Sequence, residues 1–195
     1  MKTKKIPLIY LASQSPRRKA ILKKMGIRFK VVSSDYNEKS IKGISPEELV
    51  LRHAIGKARS AAIPEKARYI LSADTIVWCR NRILGKPKTK KEAAGILNLI
   101  HGRSHTVYTG VVLYDSKMNT FQKEVARTRV FIKRLSKKDM MDYIEKVDPF
   151  DKAGSYAIQE GPRIVERIEG SYSNVMGLPK EVVKKMVDRS TETIE

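Results

Sequence analysis

The segment IPLIYLASQSPRRKAILKKMG, residues 6–26, decides how this chain folds. It opens with the apolar run Ile6–Leu11, which predicts a buried β-strand. Ser15 then predicts a helix N-cap with proline at the first helical position, and Gly26 predicts the end of that helix just after Met25. A strand that runs directly into a helix is the building unit of α/β proteins.

The same alternation of strand and helix patterns continues to the end of the chain. Capping patterns at Ser45 and Thr89 open two further helices. The other predicted strands are at 29–33, 69–79, 105–114, 121–132 and 163–168. The predicted helices that follow the first are at 45–63, 89–102, 136–147 and 179–189. We therefore expect an α/β protein with an extended mixed sheet flanked by helices. The whole chain, 1–195, is expected to be one domain, either a single body or two lobes around a central cleft.

Composition limits the classes of protein to consider. The 195 residues include 40 Lys and Arg against 21 Asp and Glu, a net charge of +19, which fits either a surface that attracts polyanions or a solvated lysine-rich surface. No apolar run reaches the roughly 18–20 residues of a membrane-spanning helix. The single cysteine, Cys79, excludes an internal disulfide and indicates a reducing compartment, so we expect a cytoplasmic protein.

Several familiar catalytic motifs are absent from the sequence. It contains no G-x-x-x-x-G-K-[ST], no G-x-G-x-x-G and no G-x-S-x-G. His101 and His105 have no metal-ligand spacing and are expected to be structural or surface residues. Cys79 ends an apolar strand, where a thiol is a poor nucleophile. A serine, thiol or zinc enzyme is therefore not expected.

The first feature that favours chemistry is SQSPRR, residues 13–18, between the first strand and the first helix. A helix N-terminus presents free N–H groups to anions, and two serine hydroxyls and two guanidinium groups add donors that suit a phosphate. An ordinary helix cap beside surface arginines would have the same residues. Both interpretations stay open at this point.

The second feature is Asp74, a carboxylate within an apolar strand, with Thr75 beside it. Such a carboxylate could bind a hard metal ion, could act as the base that deprotonates water, or could close a turn at the end of the strand. Glu38 is a candidate second carboxylate, although by itself it resembles any surface glutamate. Candidate cations for a phosphorylated ligand are Lys57 and Lys86, and the amide of Gln159 is suited to reading a base edge.

Six ordered segments resemble those of the Maf proteins, nucleoside triphosphate pyrophosphatases related in fold to the inosine triphosphatases. The segments are LASQSPRR (11–18), SADT (72–75), LGKP (84–87), GRSH (102–105), DKAGSY (151–156) and GSYSNVMGLP (170–179). Each segment alone is weak, but their order along most of the chain is specific.

The resemblance implies hydrolysis of the α–β phosphoanhydride bond of a nucleotide, assisted by Mg²⁺ or Mn²⁺, in a homodimer. It implies that Asp74 accepts the proton of the attacking water and that Asp74 and Glu38 hold the metal. It further implies a set of phosphate contacts: Ser13, Ser15, Arg18, Lys57 and Lys86.

The segment around Gln159 resembles the branch of the family that acts on dTTP and UTP, in which positions matching Arg17, Thr75 and Gln159 are linked to base selection. That branch commonly has Tyr-Gly-Ile-Gln-Gly, whereas this chain has Ala157 and Glu160 at the two glycine positions. We expect this departure to leave catalysis unaffected, and its effect on base preference stays open at this point.

Three alternatives remain at the level of sequence. One is the branch acting on 7-methyl-GTP, and another is removal of modified nucleotides by the same chemistry. The third is a regulator of cell division that binds a nucleotide or a nucleic acid without catalysis. Regulation of cell division is also compatible with hydrolysis by the same protein. An aromatic content of 7% and the lack of a known nucleic-acid-binding module weigh against nucleic acid as a partner.

Overall fold

A computed structural model describes residues 7–38, 41 and 43–192. Its strands are β1 Ile9–Leu11, β2 Phe29–Val31, β3 Tyr69–Cys79, β4 Arg82–Leu84, β5 Ser104–Asp115, β6 Thr120–Ile132 and β7 Val165–Glu169. Its helices are α1 Pro16–Lys24, α2 Pro46–Arg59, α3 Lys90–Ile100, α4 Lys137–Lys146, α5 Tyr172–Val175 and α6 Lys180–Glu192, with a 3₁₀ turn at Ala153–Ser155. No helix in these ranges is long and apolar enough to cross a bilayer.

The seven strands form one mixed sheet in the order β2-β1-β3-β5-β6-β7, with β4 paired to β3 outside this order. The strand β1 pairs in parallel with both β2 and β3, whereas β4 is antiparallel to β3 and β7 is antiparallel to β6. The sheet confirms the predicted α/β fold with a mixed sheet. The central strand β3 is buried along nearly all its length, as expected of a run so rich in apolar residues.

The chain divides into two compact units. The first comprises the described residues up to Thr75, together with Thr109–Ala126 and the described residues from Gly177 onward. Within it, α2 packs closely on the sheet, because Gly110 of β5 faces the backbone of Val50 and a Cβ there would lie 2.6 Å from the Val50 carbonyl carbon. The buried hydroxyl of Ser72 donates to the carbonyl of Ala54 at 2.6 Å and joins β3 to the same helix.

The second unit comprises Ile76–Tyr108 and Arg127–Met176. Its core gathers apolar side chains from β3, α3, β6 and α4, among them Leu97, Ile100, Ile132 and Tyr143. The helix α4 begins with a complete capping box, in which Ser136 and Asp139 satisfy each other's backbone N–H groups.

The predicted strands and longer helices are confirmed, with differences at their ends. The helix α2 stops at Arg59 rather than near residue 63, because Ser60 caps it and Ala61 pairs with Ser34 in an isolated bridge. The strand β1 is observed from Ile9, and Ile6 lies outside the described residues. The elements β4, α5 and the 3₁₀ turn have three or four residues each and were not predicted, because they lack the longer strand-like runs that marked the equally short β1 and β2.

Candidate active site

The loop after β1 begins the site. Ser15 caps α1 by accepting from the N–H of Arg18 at 3.5 Å, with Pro16 at the first helical position. The N–H of Ser15 in turn donates to the hydroxyl of Ser13 at 3.3 Å. These contacts fold the Ser-Gln-Ser segment against the start of the helix, the end whose partial positive charge favours an anion.

Arg18 ties three segments of the first unit together. Its Nε donates to the carbonyl of Gly177 at 2.8 Å, and its two terminal nitrogens donate to Ser13 Oγ and Thr75 Oγ1, both at 3.1 Å. Burial lowers the pKa of the Arg18 guanidinium, while the negative charges of Asp74 and Glu38 oppose that shift. The guanidinium therefore organises the site through its hydrogen bonds and contributes positive charge to it.

Lys57 links the two predicted carboxylates. Its Nζ lies 2.6 Å from Oδ1 of Asp74 and 2.6 Å from Oε1 of Glu38. The Asp74 side chain is only 7% exposed and that of Lys57 only 14%, whereas Glu38 is 54% exposed. A buried carboxylate is costly unless its charge is compensated, and this ammonium compensates it.

Thr75 follows Asp74 on β3 and does not interrupt that strand. Its hydroxyl receives the hydrogen bond from Arg18 and lies 2.9 Å from the hydroxyl of Thr109 on β5. Arg17 precedes Arg18 on α1, and its charge acts on the Arg18 guanidinium. The first unit thus brings together most of the predicted site residues: Ser13, Ser15, Arg17, Arg18, Glu38, Lys57, Asp74 and Thr75.

Sequence reasoning missed two partners in this cluster. Thr109 is a buried polar residue in an apolar strand, which is the same signal that drew attention to Asp74. The carbonyl of Gly177 left no signal in composition, because a backbone acceptor does not depend on residue type. Gly177 does lie within the GSYSNVMGLP segment that carries part of the resemblance.

The other two predicted residues, Lys86 and Gln159, belong to the second unit, and both are exposed. The loop of Lys86 lies beside the DKAGSY segment, because Gly85 accepts a hydrogen bond from the N–H of Gly154 at 3.2 Å. The second unit therefore places two of the motif segments next to each other.

Glu160, which replaces the glycine common in the dTTP/UTP branch, forms an ion pair with Lys152. The buried Lys152 binds the carbonyl of Asp148 at 2.8 Å, Asp151 at 2.6 Å and Glu160 at 3.1 Å. The pKa of Lys152 is affected most by burial, which lowers it, but the two carboxylates outweigh burial and raise the pKa overall. Glu160 therefore adds an anion whose charge Lys152 compensates, and their ion pair spans the ends of the segment that carries Gln159.

His105 is buried, as a structural residue would be. Its Nε2 lies 2.7 Å from the hydroxyl of Tyr156, and burial lowers the pKa of His105 to about 4. Burial also raises the pKa of Tyr156. Both groups are therefore neutral near pH 7, and their contact supports the DKAGSY segment from the side of β5.

Asp74 and Glu38 are the side chains at this site that could hold a divalent metal. Within residues 7–38, 41 and 43–192, no three or more His, Cys, Asp or Glu side chains are grouped to enclose a metal ion. Asp74 and Glu38 nevertheless approach the same atom, Lys57 Nζ, with one oxygen each. Mg²⁺ is commonly bound by one or two carboxylates, with waters and substrate phosphates as its other ligands. Two carboxylates beside the Ser13–Arg18 loop fit such a metal, whose other ligands would be waters and phosphate oxygens.

Comparison with known proteins bears directly on this arrangement. The family model described as Maf-like protein matches residues 8–190. The chain belongs to the Maf-like family. The match spans both units of this Maf-like chain and every residue of the candidate site, and it confirms the resemblance drawn from the six segments.

Named relatives are similar over most of their length. A dTTP/UTP pyrophosphatase of Citrifermentans bemidjiense is 48% identical over 88% of this chain and 89% of its own. The protein with the same name from Geobacter sp. strain M21 is 47% identical over the same shares of the two chains. The one from Thermoanaerobacter sp. strain X514 is 41% identical over 92% of this chain and 93% of its own.

Proposed function

We propose that this protein hydrolyses dTTP and UTP to the nucleoside monophosphate and pyrophosphate. Relatives that bear the name dTTP/UTP pyrophosphatase, at 41–48% identity over nearly the whole chain, support this substrate class. The observation that carries the proposal is the cluster around Lys57, in which two carboxylates converge beside the Ser13–Arg18 loop. Hydrolysis of a triphosphate needs a base, charge neutralisation and an anion-binding loop, and this cluster has a residue for each.

In this proposal Asp74 is the proton acceptor. The oxygen of a water molecule bonds to the α-phosphorus, the bond from that phosphorus to the bridging oxygen breaks, and pyrophosphate leaves with the electron pair. Asp74 takes the proton that the water loses. The rigid strand β3 holds this carboxylate, and Lys57 keeps one of its oxygens oriented through a 2.6 Å contact.

The basic residues neutralise the triphosphate. Ser13 and Ser15 offer hydroxyl donors and the N-terminus of α1 its partial positive charge, while Arg18, Lys57 and Lys86 supply full positive charges. The three N–H donors of Lys57 can serve the carboxylates and phosphate oxygens alike, because both are anionic acceptors. Asp74 and Glu38 would hold Mg²⁺ or Mn²⁺, which when bound polarises the water and neutralises phosphate charge.

Base selection is assigned to Arg17, Thr75 and Gln159. The Thr75 hydroxyl has a fixed orientation because Arg18 and Thr109 both contact it. Gln159 is exposed, and its amide offers both donors and an acceptor, which suits the edge of a pyrimidine base.

A homodimer and a cytoplasmic location stay predictions, and the buried free thiol of Cys79 is in keeping with a reducing compartment.

A nucleotide panel tests the substrate class. Pyrophosphate release is measured with Mg²⁺ or Mn²⁺ from dTTP, UTP, CTP, 7-methyl-GTP and the purine triphosphates. We expect turnover of dTTP and UTP well above that of the others. Preferred turnover of 7-methyl-GTP would contradict the assigned base preference, and the absence of metal-dependent turnover of any nucleotide would contradict the enzyme and favour a binding protein.

A further inference from the structure

The segment that leads to Glu38 is fastened to α2 by an aromatic side chain. The Tyr36 ring lies directly over Gly56 of that helix, so that a Cβ at Gly56 would overlap the ring. The Tyr36 hydroxyl lies 3.0 Å from Nδ1 of His53, which is 5% exposed, and the two rings meet edge-on with centroids 5.6 Å apart. The Tyr36 ring can therefore pack against α2 at this position only because residue 56 is a glycine without a side chain.

Hydrogen bonds fix the backbone on either side of this contact. The N–H of Tyr36 donates to Ser34 Oγ at 3.3 Å, and that hydroxyl lies 2.8 Å from Ser60 Oγ just past the end of α2. The N–H of Ala62 also donates to the carbonyl of Ser33 at 2.9 Å. The chain from Ser33 to Tyr36 is therefore held along the last turns of α2, which carry Lys57.

The placement of Glu38 follows from these anchors. Tyr36 is two residues before Glu38, and Gly56 is the residue before Lys57. A ring seated on Gly56 sets the position of Glu38 along the helix, so that its carboxylate reaches Lys57 Nζ at 2.6 Å even though the Glu38 side chain is 54% exposed. If the segment were not anchored, keeping this contact would cost side-chain and backbone conformational entropy, and an exposed ion pair contributes little free energy to offset that cost.

We propose that Tyr36 is a positioning residue which, seated on Gly56 and bonded to His53, holds Glu38 against Lys57 and Asp74. Its importance for catalysis rests on the proposed function, since Glu38 is assigned to the metal there. The placement itself is a property of the protein without ligand. It can therefore be measured without any enzymatic activity.

The direct test is the rate at which acetic anhydride acetylates Lys57. The folded protein is labelled first and then digested, and mass spectrometry of the peptides measures the acetylation of Lys57. An amine engaged by two carboxylates and only 14% exposed reacts slowly. We expect Glu38→Ala, which removes the carboxylate from Lys57, to raise the Lys57 rate several-fold. Tyr36→Ala should raise it by a similar factor, and the double variant should raise it no further, because a residue that acts through Glu38 is not additive with its loss.

Two conservative changes and two controls sharpen this test. Tyr36→Phe keeps the ring over Gly56 and should keep most of the protection of Lys57. Gly56→Ala displaces the ring and should raise the rate, whereas Gly95→Ala, at a helical glycine with open space around its Cβ position, should not. The rate at Lys90, which pairs with Glu145, should be the same in every variant.

A Lys57 rate that rises in Glu38→Ala but stays at the wild-type value in Tyr36→Ala and Gly56→Ala would overturn the proposal. An additive rise in the double variant would overturn it too, as would no rise in Glu38→Ala. Turnover of dTTP is measured on the same variants, and Tyr36→Ala and Glu38→Ala should lower it by similar factors. If the acetylation rates behave as expected while Glu38→Ala leaves turnover unchanged, the role of Glu38 in the proposed function fails and the positioning by Tyr36 stands.

Discussion

Lys57 Nζ lies 2.6 Å from Oδ1 of Asp74, and the two side chains are 14% and 7% exposed. An ion pair this far from solvent differs from a surface salt bridge, because removal of one partner leaves the other charge buried and uncompensated. Lys57 reaches Asp74 because α2 packs closely on the sheet at Gly110. The packing of the helix and the chemistry of the site are therefore linked through this one contact.

The first prediction concerns removal of that ammonium. Lys57→Met keeps the length of the side chain and removes its charge, so Asp74 loses its compensation. We expect the free energy of unfolding at pH 7 to fall by about 3 kcal/mol, the usual cost of breaking a buried pair. Turnover of dTTP should fall at least about tenfold, a change of ~1.4 kcal/mol in the barrier. Urea unfolding and pyrophosphate release measure the two effects.

Lys90→Met is the matched control for stability. Lys90 and Glu145 also form an ion pair at 2.7 Å, but their side chains are 57% and 59% exposed. Exposed pairs contribute about 0–1 kcal/mol, so this variant should unfold nearly as the wild type does. Equal stability losses in the two variants would contradict the distinction between the buried and the exposed pair.

The second prediction concerns Glu160. Its ion pair with Lys152 fixes the end of the segment that carries Gln159. Glu160→Gly removes that contact and frees the backbone, so we expect the ratio of kcat/KM for dTTP over CTP to fall by about three- to tenfold, roughly 1 kcal/mol of discrimination. The kcat for dTTP should change less than about twofold, because Asp74 and its partners are untouched.

Glu160→Gln serves as the control, since its amide oxygen still accepts from Lys152. Its selectivity should lie between that of the wild type and that of the glycine variant. An unchanged ratio together with a large loss of kcat would mean that Glu160 supports catalysis and not base selection.

The third prediction is a pH dependence that arises from His105. Burial lowers the pKa of folded His105 to about 4, whereas in the unfolded chain the pKa is about 6.5. Between these values the unfolded state binds the extra proton, so the free energy of unfolding falls as the pH is lowered from 6.5 towards 4. The contribution is on the order of 3 kcal/mol over that interval.

Urea unfolding at pH 7 and pH 4.5 tests this sign. His105→Gln should lose clearly less stability between the two pH values than the wild type does. Tyr156→Phe keeps His105 buried and should retain the wild-type pH dependence, because burial and not the tyrosine hydroxyl lowers the pKa. Identical losses in His105→Gln and the wild type would refute the assignment.

The sequence predicted the strands and helices whose apolar pattern extends over several turns or pleats, such as β3 and α4. It failed at β4 and α5, which have three and four residues; β4 forms only because it folds back on the end of β3 across a two-residue turn. The site residues Asp74 and Arg18 had local signals, a charge in an apolar strand and a helix cap. The contacts of Lys57 with Glu38 and Asp74 had none, because 19 and 17 residues separate them along the chain and only the fold brings them together.

The most direct test of the account is the turnover of dTTP by Asp74→Asn with Mg²⁺ or Mn²⁺. The amide keeps the size of the side chain and an oxygen that accepts from Lys57, but it cannot take a proton from water. We expect pyrophosphate release to be abolished while binding of dTTP, measured by calorimetry, persists. Turnover at the wild-type rate in this variant would contradict the role of Asp74 and with it the proposed mechanism.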